Sequence, residues 1–284
     1  MSKSLLITFG CSWTYGIGAG YEEGMNEEFY TDKIRWSEEL CYEHSWRRIV
    51  LDNLNIKGLN FSVGGSSNQK QFKFAKEFFI SDEWNSIKNE YDNIVVLWGL
   101  TTTERTYMWC NDVDSYQDIF LHDERRKFNK IISPVGNKFI KKERISFSEQ
   151  LELVINRLSY NHDNEVEQLT NNILFWNYFF KAIGIKNIWF DTFDSHQYTS
   201  DIENLIDSDN QERDLLFKLC SWHIEKNPDI LETDKLSKGA IVTHDYFLYA
   251  ARNKIINPYS YHPVKSQYRL IGEYFTKQLR PYFH

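Results

Sequence analysis

The chain has 284 residues, 42% hydrophobic and 26% charged, which is the balance of a soluble globular protein with room for a sizeable core. Its net charge of −7 argues against sequence-independent binding to nucleic acid or to an anionic membrane surface. No apolar run approaches the ~20 residues of a membrane span, and the start of the chain carries too short an apolar stretch for a secretory signal, so a cytoplasmic protein is expected.

The four cysteines, Cys11, Cys41, Cys110 and Cys220, are widely spaced and form no CxxC pair, so free thiols are expected. The eight histidines form no HExxH or HxxxH pattern. Neither a metal nor another cofactor is therefore expected.

In chain order, Leu5–Phe9 (LLITF) is a short apolar run with β-branched members, bounded by Gly10, and reads as a buried strand. Ser12 lies just past its end. Gly16, Gly18 and Gly20 come too late after the strand for a dinucleotide fingerprint, and a flexible loop over the site is expected there. Ser45–Leu54 reads as an amphipathic helix with Trp46, Ile49, Val50 and Leu54 on one face.

Gly58–Val63 reads as a second strand, and GGSSN at Gly64–Asn68 as a turn carrying the N-cap of a helix over Lys70–Phe79. Asn93–Trp98 is the third and most apolar strand. Residues 106–147 lack a clear period and read as an insertion. Helical patterning returns over Phe147–Leu158 and Glu165–Phe180, with Gly184 as a C′ residue. Asn187–Phe190 is the fourth strand, running into Asp191 and Asp194. Residues 200–255 read as a second insertion, with a short helix over His244–Asn253. Pro263 is placed at N1 of a last helix whose apolar face is Leu270, Ile271, Tyr274, Phe275 and Leu279. This alternation predicts βαβ units around a central parallel sheet, in one domain over 1–284. A basic cluster, Lys138, Lys141, Lys142 and Arg144, reads as a solvated loop.

Three strand-end loops and the Tyr261-His262-Pro263 segment then converge on one sheet edge. Serine becomes a nucleophile when a base takes its proton, and histidine does this near neutral pH. Ser12 and His262 are the candidate pair, with the Gly65 backbone N–H as an oxyanion donor. The bland alternatives are a capping serine and an exposed turn histidine.

At these residues the chain resembles the SGNH hydrolases, the GDSL-like family, as a divergent member. FGCSWTYG is similar to G-D-S-x-T-x-G and NFSVGGSSN to N-x-G-x-x-G-x-T. VVLWGLTT stands at the G-x-N-D block, and YHPVKSQYRLIGE is similar to H-P-x-x-x-G-H-x-x-I-A-E. The resemblance implies a flavodoxin-like α/β three-layer sandwich with helices on both faces of the parallel sheet. It also implies a nucleophile at Ser12, a base at His262, and an oxyanion hole at Gly65 and Thr101. Four departures stand out. Cys11 replaces the Asp before the serine, Thr101 the oxyanion Asn, and Gln267-Tyr268 a Gly-His pair. Tyr259 and Ser260 stand where an Asp precedes the histidine.

A missing orienting acid leaves two substitutes: a main-chain carbonyl from Ile256–Tyr261, or Asp191 or Asp194, which otherwise cap turns. Thr101 is either an oxyanion donor or a local turn former. Arg105 is either an anion clamp or half of a structural ion pair. Trp13, Tyr15, Trp98 and Trp109 either stack on a substrate or belong to the core, and Trp13 and Arg105 are the substrate-binding candidates.

The leading expectation is a serine esterase or deacylase using a Ser-His dyad or displaced triad on a small-molecule or carbohydrate ester such as an O-acetyl sugar. It needs no nucleic acid or membrane partner. The alternative is a catalytically degraded binding or assembly protein of the same fold, as in a phage virion. In that case the two insertions would be its partner surfaces.

Overall fold

A computed structural model describes residues 3–101, 105–110, 115–120, 162–192, 257, 259–260 and 262–283. Strands β1 (Ser4–Phe9), β2 (Lys57–Asn60), β3 (Asn93–Leu100) and β6 (Lys186–Asp191) form one sheet in the order β2-β1-β3-β6. Every neighbouring pair is parallel, as the alternation of strand and helix predicts. This is the order of the first four strands of a flavodoxin-like, doubly wound sheet.

Successive residues of the inner strands feed opposite faces, and both faces are covered. Leu5, Ile7, Phe9, Val96 and Trp98 pack under helices α5 (Asn68–Phe79), α6 (Asp82–Glu90) and α7 (His162–Ala182). Leu6, Val95, Leu97, Ile188 and Phe190 pack under α4 (Trp46–Leu54) and α8 (Lys265–Leu279). Burial on both sides is why these strands read as unbroken apolar runs instead of alternating ones. The expected three layers with helices on both faces are therefore present.

An aromatic ladder crosses the sheet. Phe9 stacks on Phe61 at 5.1 Å and on Trp98 at 4.4 Å, and Trp98 on Trp189 at 4.8 Å between ring centroids. Cross-strand ring pairs of this kind add to the burial term. Trp98, a stacking candidate from sequence, is fully buried here, and its indole N–H donates to Asn187 Oδ1 at 2.6 Å.

Several boundaries differ from expectation for local reasons. β2 starts at Lys57 and ends at Asn60, but the chain still runs along β1 to Val63, with Phe61 N–H donating to the Thr8 carbonyl and Val63 N–H to that of Gly10. Ser67, with its hydroxyl accepting from Lys70 N–H, starts α5 two residues early. The last helix starts at Lys265 with Val264 as its N-cap, so Pro263 precedes the cap and does not occupy N1. The Asn257 N–H donates to the His262 carbonyl, which holds that stretch extended into the cap.

The expected loop after Ser12 is instead folded. It contains α2 (Glu27–Phe29), a π-turn (Tyr30–Ile34) and α3 (Glu38–Glu43), and it buries Ile17, Ala19 and Tyr30. Residues Arg105–Cys110 and Ser115–Phe120, inside the supposed first insertion, form an antiparallel hairpin, β4 and β5. The rest of both insertions, the helices over 147–158 and 244–253, the basic cluster, Cys220 and Asp194 lie outside the described residues.

Candidate active site

In a sheet of this order the strand sequence reverses between β1 and β3, and ligands bind in the crevice outside the carboxyl ends of those strands. Ser12 and Thr101 sit at those ends. Ser12 opens a one-turn helix, α1 (Ser12–Tyr15), and is only 3% exposed. Its carbonyl accepts from Gly16 N–H and Ile17 N–H, which ties the turn to the serine. Cys11, at the N-cap, is fully buried.

Arg47 locks this turn from α4. Its Nε donates to the Thr14 carbonyl at 2.6 Å and an Nη to the Tyr15 carbonyl at 3.0 Å, satisfying the carbonyls that end the helix. Burial pulls the Arg47 pKa down to about 10, so it stays cationic at neutral pH.

Gly65 lies in the loop between β2 and α5 at φ +78°, and a side chain there would meet nothing within 4 Å. The loop thus offers backbone in a conformation that favours glycine and is open on the glycine's side. Trp36 covers its neighbour Gly64.

Thr101 is buried. Its N–H donates to Asn68 Oδ1 at 2.9 Å, and its carbonyl accepts from Asn68 Nδ2 at 2.7 Å. Asn68 therefore clamps the end of β3 to the first residue of α5. With its N–H committed, Thr101 has only its hydroxyl to offer an oxyanion. The clamp was invisible in sequence, where Asn68 reads simply as part of a capping turn.

His262 reaches this edge from the far end of the chain. A side chain at Gly18 would come within 2.8 Å of His262 Cβ, so the histidine lies against the loop that leaves Ser12. Three contacts fix the approach. Tyr268 Oη donates to the Ile17 carbonyl at 2.9 Å, Tyr259 Oη donates to the Met25 carbonyl at 2.8 Å, and Tyr30 Oη lies 2.8 Å from Ser260 Oγ.

The imidazole Nδ1 lies 2.5 Å from the Ser260 carbonyl. A carbonyl only accepts, so Nδ1 carries the proton and Nε2 is the basic atom. The orienting acceptor is thus a main-chain carbonyl within Ile256–Tyr261. Asp191 ends β6 in register with Leu100. Among the described residues no hydrogen bond joins Ser12 to His262.

Trp13 is half-buried against the cluster that includes Trp46 and Phe275. Tyr15 lines a separate cleft of about 360 Å³, shared with Arg47, Asn60 and Ser62; Ser12, Gly65 and His262 do not line it. Arg105 opens β4 just past Thr101.

Burial pulls the His262 pKa down to about 3. The Ser260 carbonyl opposes this shift, and the charges of Arg35 and Arg105 add to it. Folded His262 therefore stays neutral where an unfolded chain takes up a proton, near pH ~6.5. The unfolded state binds more protons between those values, so this contribution to stability is complete above pH ~6.5 and is lost as pH falls toward 3. The ring is partly accessible, and solvent at its open side screens part of the effect. We expect about 2 kcal/mol of stability to be lost by pH ~4.5. Guanidinium melts at pH 7 and 4.5 check this: the wild type should lose about 2 kcal/mol more than His262→Gln, whereas equal losses would show that the ring titrates freely.

Layers, strand order and crevice define an α/β protein of the doubly wound, flavodoxin-like class. No protein-family model matches the chain, and no curated protein matches it. Among solved structures the chain is similar to a protein assigned to the lipolytic G-D-S-L family from Desulfitobacterium hafniense DCB-2, at 11% identity and a TM-score of 0.43 over 97% of this chain and 99% of that one. It is also similar to the lipase Lip_vut3 from a goat rumen metagenome, at 10% identity and a TM-score of 0.37 over 96% of each chain.

Proposed function

We propose that the protein is a divergent SGNH-type serine hydrolase acting on carboxylic esters. The observation that carries this reading is the seating of His262 against Gly18, on the loop leaving Ser12, with Nδ1 tied to the Ser260 carbonyl and Nε2 left as the base. Ser12 Oγ attacks the acyl carbon and its proton passes to Nε2. The ester C–O bond breaks, and the alcohol leaves with that proton. Water then adds to the acyl-enzyme, gives a proton to Nε2, and releases the acid as the proton returns to Ser12. The Gly65 and Ser12 N–H groups and the Thr101 hydroxyl are the donors assigned to the oxyanion.

One observation favours the second reading, a binding or assembly protein of this fold. A histidine held near pKa 3 is a weak base at neutral pH. The test is hydrolysis of a p-nitrophenyl ester panel by purified protein, with and without an organophosphonate serine reagent. Turnover that the reagent abolishes, with the label mapped to Ser12, is the expected result. A flat panel together with an unlabelled Ser12 favours the binding protein.

A further inference from the structure

Arg35 follows the π-turn Tyr30–Ile34, which is closed by Arg35 N–H donating to the Tyr30 carbonyl at 2.8 Å. Such turns are rare and concentrate at functional sites. Widening the turn by one residue brings residue 35 over residue 30, where an α-turn would bring residue 34. Tyr30 is the residue whose hydroxyl meets Ser260 Oγ, and the Ser260 carbonyl holds the His262 ring.

The π-turn therefore delivers a guanidinium to the flank of the base. On its other flank the Arg35 guanidinium carbon lies 5.2 Å from the Trp36 ring centroid, and Trp36 covers Gly64 beside the oxyanion loop. Arg35 Nε is buried and makes no hydrogen bond, and among the described residues Arg35 has no carboxylate partner. Arg105, from the loop after Thr101, brings a second positive charge to bear on the same ring. Apart from these two arginines, only the Ser260 carbonyl is a described polar group that measurably biases the ring.

Resting on the hydrolase reading, we propose that the substrate is an anionic ester whose carboxylate lies between Arg35 and Arg105 while its ester carbonyl faces Ser12. Two guanidiniums on one side of a partly dry site match a carboxylate in charge and in fork geometry. A bound anion would also cancel the field that weakens His262, so the base strengthens when the correct substrate arrives.

Two ester pairs test this and separate an acyl-side from an alcohol-side carboxylate. One is mono-p-nitrophenyl glutarate against p-nitrophenyl valerate, and the other is 4-acetoxybenzoate against its methyl ester, each corrected for spontaneous hydrolysis. The anionic member of at least one pair should be preferred at least about tenfold in kcat/KM, with the ratio falling below about threefold in Arg35→Gln and in Arg105→Gln.

A second readout follows the His262 ring signal by NMR while glutarate or benzoate is added. Its titration midpoint should rise in the wild type and stay put in Arg35→Gln. Turnover without anionic preference in either pair, with an unmoved midpoint, overturns the inference and leaves the hydrolase reading standing. If no ester turns over but the midpoint rises, the hydrolase reading falls and the anion site stands alone. If no ester turns over and the midpoint stays put, both fall.

Discussion

Replacing Ser12 by alanine should reduce ester turnover at least about a thousandfold in kcat/KM, or ~4 kcal/mol of transition-state stabilisation. The fold should barely respond. Among the described residues the Ser12 hydroxyl makes no hydrogen bond, and the turn it opens is held by main-chain carbonyls and Arg47. Denaturant melts of Ser12→Ala should therefore match the wild type to within about 1 kcal/mol. Asp191→Asn and Asp194→Asn are the comparison. The Ser260 carbonyl already fixes His262, so each should lower kcat less than about tenfold. A larger loss in a folded Asp variant would assign the orienting role to a carboxylate, and full activity in Ser12→Ala would end the nucleophile assignment.

The second large effect is expected at Gly18. It adopts φ +95°, and an added Cβ would lie 2.6 Å from the Pro263 carbonyl oxygen and 2.8 Å from His262 Cβ. Backbone strain at such a φ costs about 1–3 kcal/mol, and overpacking costs a similar amount again. Gly18→Ala should therefore lose about 3 kcal/mol or more, and the molecules that remain folded should lose activity because His262 is displaced. Gly24 separates strain from displacement. Its φ is +91°, but an added Cβ there meets nothing within 4 Å. Gly24→Ala should cost only about 1–2 kcal/mol and leave kcat unchanged. Stability and kcat/KM measured on both variants decide the point. Equal loss of activity in the two would mean that the Gly18–His262 contact does not position the base.

Elements whose burial is set locally could be read in the sequence. Ile94–Leu97 must be a central strand, because four apolar residues in a row suit only a strand covered on both faces. Ser45 and Ser67 mark helix starts because a hydroxyl at that position satisfies an orphan N–H. The positions of Ser12, Gly65 and His262 followed from the same strand-end logic.

The contacts that organise the site could not be read this way. Tyr30 and Ser260 are 230 residues apart, and Asn68 and Thr101 are 33 apart. A tyrosine in an acidic stretch and an asparagine in a serine-rich turn carry no local mark of a distant partner. The π-turn escaped for a related reason: its extra residue is stabilised by Tyr30 being drawn into the core, which is a tertiary effect with no periodic signature.

The Tyr268–Ile17 bond also constrains the order of assembly during synthesis. Its two ends are 251 residues apart in the chain. At ordinary rates of translation, about 5–20 residues per second, the nucleophile turn leaves the ribosome on the order of 10–50 seconds before its base. Strand β1 can pair with β2 and β3 in that interval, since all three are made within the first hundred residues. The nascent chain therefore passes through a stage in which a sheet exists but no hydrolytic pair does. A truncation series released from stalled ribosomes should acquire organophosphonate labelling of Ser12 only once residues beyond Tyr268 are free.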